Sequence, residues 1–333
     1  MSAVATEVPV PERRQRVDAG ADAAFRWTVL GAALVVLLAL VGAAVSMAWG
    51  GRLAFETFGW DFLTTQEWDV PASQFGALVP VYGTLVTAGI AMLIAVPVSL
   101  GVAVFLTEVA PGWMRGPVSA AIELLAGIPS IIYGMWGLFV LAPALSEHVY
   151  PWFDEHLGPL PLVGALFSGP PLGIGMLTAG LVLAIMVIPF ISSVMREVFL
   201  TVPNRLKESA YALGSTTWEV VWDVVVPYTR SAVIGGIFLG LGRALGETMA
   251  VTFVIGNAYN ISASLLEPGT SIASTIANEF GEAVDPVHKS TLLALGFLLF
   301  VLTFLVLSAA SPNSLAMVEA IEVPGSSSEA EML

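Results

Sequence analysis

Six long apolar stretches constrain the fold of this 333-residue chain more than any other feature of its sequence. Each is long enough to cross about 30 Å of hydrocarbon as a helix that rises about 1.5 Å per residue. Inside a bilayer the backbone must satisfy its own hydrogen bonds, which leaves only helices or a closed barrel. The alternating segments of a barrel are absent, so the sequence predicts an all-α integral membrane protein with six transmembrane helices. These helices are predicted at residues 27–49, 79–107, 117–145, 173–197, 226–256 and 290–310.

The composition agrees with a membrane protein and excludes several classes of function. Only 11% of the residues are charged, against about 25% in soluble domains. The net charge of −14 argues against nucleic-acid binding, which needs a basic surface. With no cysteine there is no disulfide, thiolate metal site or cysteine nucleophile. The three histidines lack metal-ligand spacing and are interpreted as structural or solvent-exposed, so neither a metal nor another cofactor is predicted: His148, His156 and His288.

The distribution of basic residues predicts the orientation in the membrane. The first apolar stretch has 23 residues, too many for a cleaved signal core, and is interpreted as a transmembrane helix. If the N-terminus lies in the cytoplasm, nine basic residues lie inside or at the inner edge and only Arg52 and Lys289 lie outside. The predicted organisation is a cytoplasmic segment 1–26, the first helix 27–49, a periplasmic segment 50–78, a transmembrane core 79–310 and a cytoplasmic tail 311–333. Both termini are thus expected in the cytoplasm, with the chain in the cytoplasmic (inner) membrane.

Glycine and proline interrupt several of the predicted helices. Pro97, Pro189 and the sequence at 127–129 indicate either kinked helices or backbone opened for a substrate or gate. In the outer segment before the last helix, apolar spacing predicts a re-entrant or interfacial helix from about Ser271 to Phe280.

The inner segment at 203–227 predicts two short helices joined by a turn. Asn204 is expected to cap a helix that starts near Arg205 and ends at Ala212 or Leu213, before Gly214. A hairpin of this kind could enter a groove on a cytoplasmic partner, or lie in the membrane interface. The second helix is expected to present one apolar face made of Trp218, Val221, Trp222 and Val225.

This segment resembles a family motif at every spacing. The permeases of binding-protein-dependent ABC importers carry Glu-Ala-Ala, three residues, Gly, nine residues and then Ile-x-Leu-Pro. The matching residues here are Glu208-Ser209-Ala210, Gly214 and Val224-Val225-Val226-Pro227, with conservative departures at Ser209, Val224 and Val226. The resemblance implies a five-helix type I ABC importer permease core preceded by one extra N-terminal helix. It also implies that a coupling helix containing Glu208, Ser209, Ala210, Gly214 and Pro227 docks on an ATPase subunit.

Other stretches are similar to the phosphate permeases of that family, among them "GIPSIIYGMWGLFVLAP" and "GLGRALGETMAVTFVIGN". This likeness implies import of inorganic phosphate by alternating access, with a PstA-like second permease, two copies of a P-loop ATPase and an outer phosphate-binding protein as partners. A PstA-like permease or another oxyanion permease is the alternative. The chain has no GxxxxGK[ST] sequence, so ATP hydrolysis is assigned to the partner and the chain is not predicted to be an enzyme.

Two charged residues lie inside the predicted fifth helix. An arginine at a helix centre costs about 2.5–3.5 kcal/mol to insert, so such residues usually face a bundle interior or a pathway. Arg243 and Glu247 are four residues apart and are expected to share one helix face. They form either a self-neutralising packing pair or an anion site, in which the planar fork of the arginine binds phosphate and Glu247 orients it or repels the anion. Thr248 either adds a hydroxyl donor or bonds its own helix backbone. The family resemblance implies that the Arg243 and Glu247 positions act in transport.

Two other classes of function remain as alternatives. A secondary transporter or channel would lack a coupling loop and often shows a repeat across its halves. A membrane enzyme would need a nucleophile or a ligand cluster in the bilayer, and the sequence shows none.

Overall fold

The computed structural model describes residues 12–161 and 163–322, and the side chains of 21–161 and 163–308. The chain forms two compact units, residues 1–50 and residues 51–333. The first unit contains one long helix, α1 (Glu12–Gly50). Its side chains from residue 21 to residue 43 are exposed. Because they are almost all apolar, this surface suits a lipid environment.

The second unit is mainly helical. Its one described strand pair, β1 (Trp68–Asp69) and β2 (Gln74–Phe75), is antiparallel with Trp68 opposite Phe75. Four short π-helical turns are described, at Phe105–Val109, Gly137–Leu141, Leu145–Val149 and Val221–Val225. The helices are α2 (Arg52–Phe58), α3 (Asp61–Thr64), α4 (Leu78–Val104), α5 (Gly112–Ala126), α6 (Ser130–Trp136), α7 (Ala142–Ala144), α8 (Tyr150–His156), α9 (Gly164–Phe167), α10 (Met176–Leu200), α11 (Asn204–Ala212), α12 (Thr217–Val220), α13 (Val226–Leu245), α14 (Met249–Thr252), α15 (Ile272–Glu279) and α16 (Pro286–Glu322).

Six helical segments of the described chain are long and apolar enough to cross a membrane, which confirms the predicted fold class. The second, fourth and sixth lie within about four residues of the predicted stretches at both ends, whereas the first is longer than predicted and the third and the fifth are shifted. The segments are Ala21–Phe58, Leu78–Val109, Ser130–His156, Met176–Leu200, Thr217–Leu245 and Pro286–Ser308.

The third predicted helix, 117–145, is wrong in its position. The structure divides this stretch into α5, which ends at Ala126, and a spanning segment that begins at Ser130. Pro129 has no amide hydrogen to donate and disfavours helical backbone at Ile128, so the helix cannot continue through this point. Pro97 and Pro189, in contrast, lie inside α4 and α10, so the backbone remains helical at both positions.

Helix α10 forms the centre of the second unit. It packs along α4 on one side and along α13 on the other. Leu183, Val187 and Ile191 on α10 are fully buried. At Gly240 of α13 a Cβ atom would lie 2.5 Å from Ile191 Cδ1, so only glycine permits this approach of the two helices. Small residues at such contacts are typical of helix packing in membranes.

A partly buried cluster of polar side chains connects β1, the loop that contains Tyr259, α15 and the start of α16. The Glu279 carboxylate at the end of α15 accepts hydrogen bonds from Trp68 Nε1, at 3.1 Å, and from the Tyr259 hydroxyl. His288 Nε2 lies 2.7 Å from the same carboxylate. Burial, together with the nearby Glu279 charge, raises the pKa of Tyr259 well above its ordinary value. The helix predicted at Ser271–Phe280 is confirmed, since α15 spans Ile272–Glu279.

The histidines match their structural or exposed interpretation. His288 is buried in the cluster around Glu279, and its ring stacks on Phe75 at a centroid distance of 4.9 Å. His148 and His156 are exposed, and each lies near the backbone carbonyl four residues before it, Ala144 and Trp152 respectively.

Candidate functional site

The inner hairpin begins with α11, but not with the predicted cap. The N-cap position is Pro203, whose extended backbone precedes the helix, and Asn204 is already the first helical residue. The Asn204 side chain therefore makes no capping hydrogen bond, and that prediction is wrong. A proline before the first turn fixes the direction of the entering chain and removes one backbone donor.

The turn after α11 forms as predicted. Gly214 has a φ of +92°, in the left-handed region that glycine enters without steric cost. The Gly214 amide donates to Tyr211 O at 3.0 Å, and the Ser215 amide donates to Ala210 O at 3.2 Å. These two bonds satisfy the last carbonyls of α11 in the pattern of a Schellman motif.

The second helix of the hairpin differs from the prediction of one apolar face. Thr216 and Glu219 form a capping box at the start of α12, and a π-helical turn follows at Val221–Val225. Val221 and Val225 are buried while Trp218 and Trp222 are exposed, so the four side chains do not form one buried face. The two indole rings pack edge to face at a centroid distance of 5.4 Å.

A buried ion pair attaches the hairpin to the spanning bundle. Lys207 Nζ on α11 lies 2.6 Å from Glu108 Oε1, in the π-helical turn Phe105–Val109 that follows α4. The two side chains are only 13% and 6% exposed. The ion pair thus attaches α11 to the end of the second spanning segment.

The predicted fifth helix, 226–256, is interrupted after Leu245. Gly246 ends α13, and the short helix α14 starts only at Met249. Arg243 is therefore in the last turn of α13, while Glu247 lies in the interruption. The prediction that the two residues share one helix face is wrong, because the helix that would align them ends between them.

Arg243 lies on an aromatic ring instead of beside a carboxylate. Its Cζ atom is 5.6 Å from the centroid of the Phe190 ring on α10. Within the described residues, no carboxylate forms an ion pair with Arg243. The side chain is exposed in the isolated chain. Sequence reasoning missed Phe190 because nothing in the sequence pairs two residues so far apart.

The other two predicted pathway residues contact nearby backbone. Glu247 Oε1 accepts a hydrogen bond from the Ala250 amide at 3.1 Å, so this carboxylate caps the first turn of α14. The Thr248 hydroxyl donates to Gly246 O at 3.4 Å. The Thr248 hydroxyl therefore bonds a nearby backbone carbonyl, in line with the second of the two interpretations given for this residue.

Comparison with known proteins assigns the family. Residues 95–312 match the model of the binding-protein-dependent transport system inner membrane component. The chain belongs to this permease family.

The permease has similar relatives that share nearly its whole length. It is 65% identical over 301 residues to the phosphate transport system permease protein PstC of Xylella fastidiosa (strain Temecula1), covering 90% of this chain and 93% of the relative. It is 58% identical over 284 residues to the PstC protein of Pasteurella multocida (strain Pm70), covering 85% and 88%.

Solved structures show the same fold at low sequence identity. A crystal structure of a bacterial ABC transporter involved in the import of the acidic polysaccharide alginate aligns with a TM-score of 0.59 at 16% identity. The alignment covers 90% of the permease and 98% of that chain. The fold is that of a type I ABC importer permease.

The family motif of the permease lies on the inner hairpin. Glu208 and Ser209 are exposed on α11, and the Ser209 hydroxyl donates to Arg205 O at 2.7 Å. Ala210 packs against the main hydrophobic core. Pro227 is the second residue of α13, directly after the π-helical turn Val221–Val225. The motif therefore combines a side packed on the bundle with a side open to a partner, and Leu213, which is 89% exposed, extends that open side.

Proposed function

We propose that this chain is the membrane-spanning permease subunit of an ATP-driven importer that moves inorganic phosphate across the cytoplasmic membrane by alternating access. The support from relatives is direct, since the PstC proteins of Xylella and Pasteurella are 65% and 58% identical to it. This similarity does not favour the alternative of a PstA-like or other oxyanion permease.

The placement of Arg243 is the observation that carries the proposal. From Val226 to Arg243, α13 rises about 25 Å, so the charge lies in the last turn of the spanning helix, far from the end that carries the inner hairpin. The side chain is exposed in the isolated chain and has no carboxylate partner among the described residues. An arginine in a membrane-spanning segment usually faces a bundle interior or a water-filled cavity rather than lipid. It therefore faces a water-filled cavity or a second subunit, where its N–H groups are available to a phosphate oxyanion.

The partners follow from the family and from the inner hairpin. The proposed complex contains a PstA-like second permease, two copies of a P-loop ATPase and a phosphate-binding protein outside the membrane. The ATPase hydrolyses ATP, and its motion enters this chain through the hairpin that carries Glu208, Ser209, Ala210 and Gly214. The N-terminal segment, the hairpin and the C-terminal tail lie in the cytoplasm in this proposal, in keeping with the basic residues of the inner loops.

Labelled-phosphate uptake in cells that lack other phosphate importers tests the role of Arg243. Arg243→Lys keeps the charge but loses the two-pronged donor geometry. Loss of one charge-assisted hydrogen bond, about 1.5 kcal/mol, predicts uptake lower by roughly tenfold with assembly unchanged. Arg26→Lys, at an exposed position in α1, is the matched control and should retain uptake.

A second replacement distinguishes transport from packing. If Arg243 only packs on the Phe190 ring, Arg243→Met should be tolerated, because methionine keeps a long, adaptable apolar side chain against the ring. We expect this variant to insert and assemble without carrying phosphate. Wild-type uptake by Arg243→Met or by Arg243→Lys would exclude Arg243 from the anion pathway.

A further inference from the structure

The contact between Arg243 and Phe190 has a chemical consequence for an anion site. A cation within about 6 Å of an aromatic centroid is attracted by the negative face of the ring, and the attraction is stronger away from water. The Cζ atom of Arg243 is 5.6 Å from the Phe190 centroid, within that range. The Phe190 ring therefore stabilises the guanidinium of Arg243 in this structure.

An aromatic ring that contacts a guanidinium leaves its N–H groups available for a ligand, whereas a carboxylate occupies them. A carboxylate at hydrogen-bonding distance would occupy two guanidinium N–H groups and neutralise the charge. A ring face accepts no conventional hydrogen bond, so the N–H groups and the full charge remain available to an oxyanion. Among the described residues Glu247 forms no ion pair with Arg243, and one of its carboxylate oxygens accepts the Ala250 amide hydrogen instead.

The packing of α10 on α13 fixes the position of the ring relative to the arginine. Ile191, the residue after Phe190, is fully buried and meets α13 at Gly240, three residues before Arg243. Phe190 also follows Pro189 and is partly buried against the main core. Its carbonyl accepts the Ser193 hydroxyl at 2.8 Å. The ring therefore packs against the main core of the bundle, which is the support that a positioning residue needs.

We propose that Phe190 is a positioning residue for phosphate transport, which holds the Arg243 guanidinium by its ring face and leaves the N–H groups free for the anion. This inference rests on the proposed function of Arg243. It assigns to Phe190 the orienting role that the sequence assigns to Glu247.

Graded fluorination of the Phe190 ring tests the proposal, because fluorine drains the negative ring face while the shape of the side chain is nearly kept. Variants with one to five ring fluorines are incorporated at position 190, and the permease is reconstituted with its partner permease, the ATPase and saturating phosphate-loaded binding protein. We expect the ratio of phosphate carried to ATP hydrolysed to fall stepwise, by roughly tenfold across the series. The same series at Phe199, a fully buried ring further along α10, is the control and should give a flat response.

Ordinary substitutions complete the test. Phe190→Leu should lower the phosphate-to-ATP ratio, and Phe190→Trp, which retains a strong π face, should restore most of it. A flat fluorination series together with a normal Phe190→Leu variant would overturn the role of Phe190 even if Arg243→Lys is impaired. Normal transport by Arg243→Lys would overturn the proposed role of Arg243 in the anion pathway, and with it this inference.

Discussion

Lys207 and Glu108 are 99 positions apart in the sequence, yet their side chains form a buried ion pair in which Lys207 Nζ lies 2.6 Å from Glu108 Oε1. The contact joins the inner hairpin to the end of the second spanning segment. A hairpin attached only through its flanking chain would be expected to transmit motion mainly to α10 and α13. The ion pair adds a further attachment, so we expect movement of α11 to reach α4 as well.

Breaking this ion pair should uncouple ATP hydrolysis from transport. Lys207→Met leaves Glu108 buried without a partner, at a cost of about 3–5 kcal/mol. We expect lower thermal stability and phosphate-independent ATPase activity in the reconstituted complex. The exchange of the two charges, Lys207→Glu with Glu108→Lys, should recover part of both properties. A single variant with normal coupling would mean that the pair is not on the route of transmission.

Gly214 should be essential because of its backbone conformation rather than for lack of space. A Cβ atom there would meet nothing within 4 Å, but the φ of +92° disfavours side chains. A β-branched residue should obstruct the turn, so Gly214→Val is expected to lose ATP-driven uptake while the protein still inserts. Gly214→Asn is the matched variant, since asparagine tolerates left-handed backbone best after glycine. Equal uptake by both variants in liposomes would argue against a strained turn.

The sequence predicts the number of spanning segments and the inner hairpin well, because both depend on local patterns. Hydropathy identifies six segments, and Gly214 identifies the turn. The ends of helices inside apolar stretches are harder to predict, since the apolar pattern of the sequence continues across a break in the helix. Pro129 and Gly246 both end helices that hydropathy alone would extend.

The candidate site was less predictable than the fold for a related reason. The expected pairing of Arg243 with Glu247 depends on an unbroken helix, and the break at Gly246 removes it. The partners that replace it are long-range contacts: Phe190 for Arg243 and, at the hairpin, Glu108 for Lys207. Pairs of this kind are decided by helix packing, which a single sequence does not specify.

The cluster around Glu279 should contribute strongly to stability. Its carboxylate accepts hydrogen bonds from Trp68 and Tyr259, and each bond to a charged group contributes about 1.5–3 kcal/mol. Glu279→Ala is therefore expected to lower the unfolding temperature of the detergent-solubilised protein markedly. Glu282→Ala, three residues further along, is the control and should change the unfolding temperature little. Equal unfolding temperatures for both variants would contradict the importance of the cluster.

Stability should also depend on the protonation of Tyr259. Because the pKa of Tyr259 is raised in the folded state, the folded protein holds this proton more tightly than the unfolded chain. The contribution is complete below the unfolded pKa of about 10 and is lost as the pH rises above it. Between about pH 9 and pH 11, wild-type stability should fall more steeply than that of Tyr259→Phe, measured by thermal unfolding. Parallel pH profiles would show that Tyr259 does not contribute to this dependence.

The predicted orientation can be tested by reporter fusions. The excess of nine basic residues over two predicts that the inner loops lie in the cytoplasm. A reporter active only in the cytoplasm should be active after Leu333, and one active only outside should be active near Glu155. The reverse pattern would contradict the proposed orientation, and activity at only one site would contradict the number of crossings.

Glu247 provides a test of whether its charge or its capping bond matters. Glu247 Oε1 accepts the Ala250 amide hydrogen at 3.1 Å, and glutamine keeps an acceptor oxygen at the same place. We therefore expect Glu247→Gln to retain phosphate uptake within about threefold. Glu247→Ala removes the cap of α14, worth about 1 kcal/mol, and should lose more uptake. Uptake that is equally low in both variants would show that the negative charge itself is needed, either to orient Arg243 in another state or to repel the anion during release.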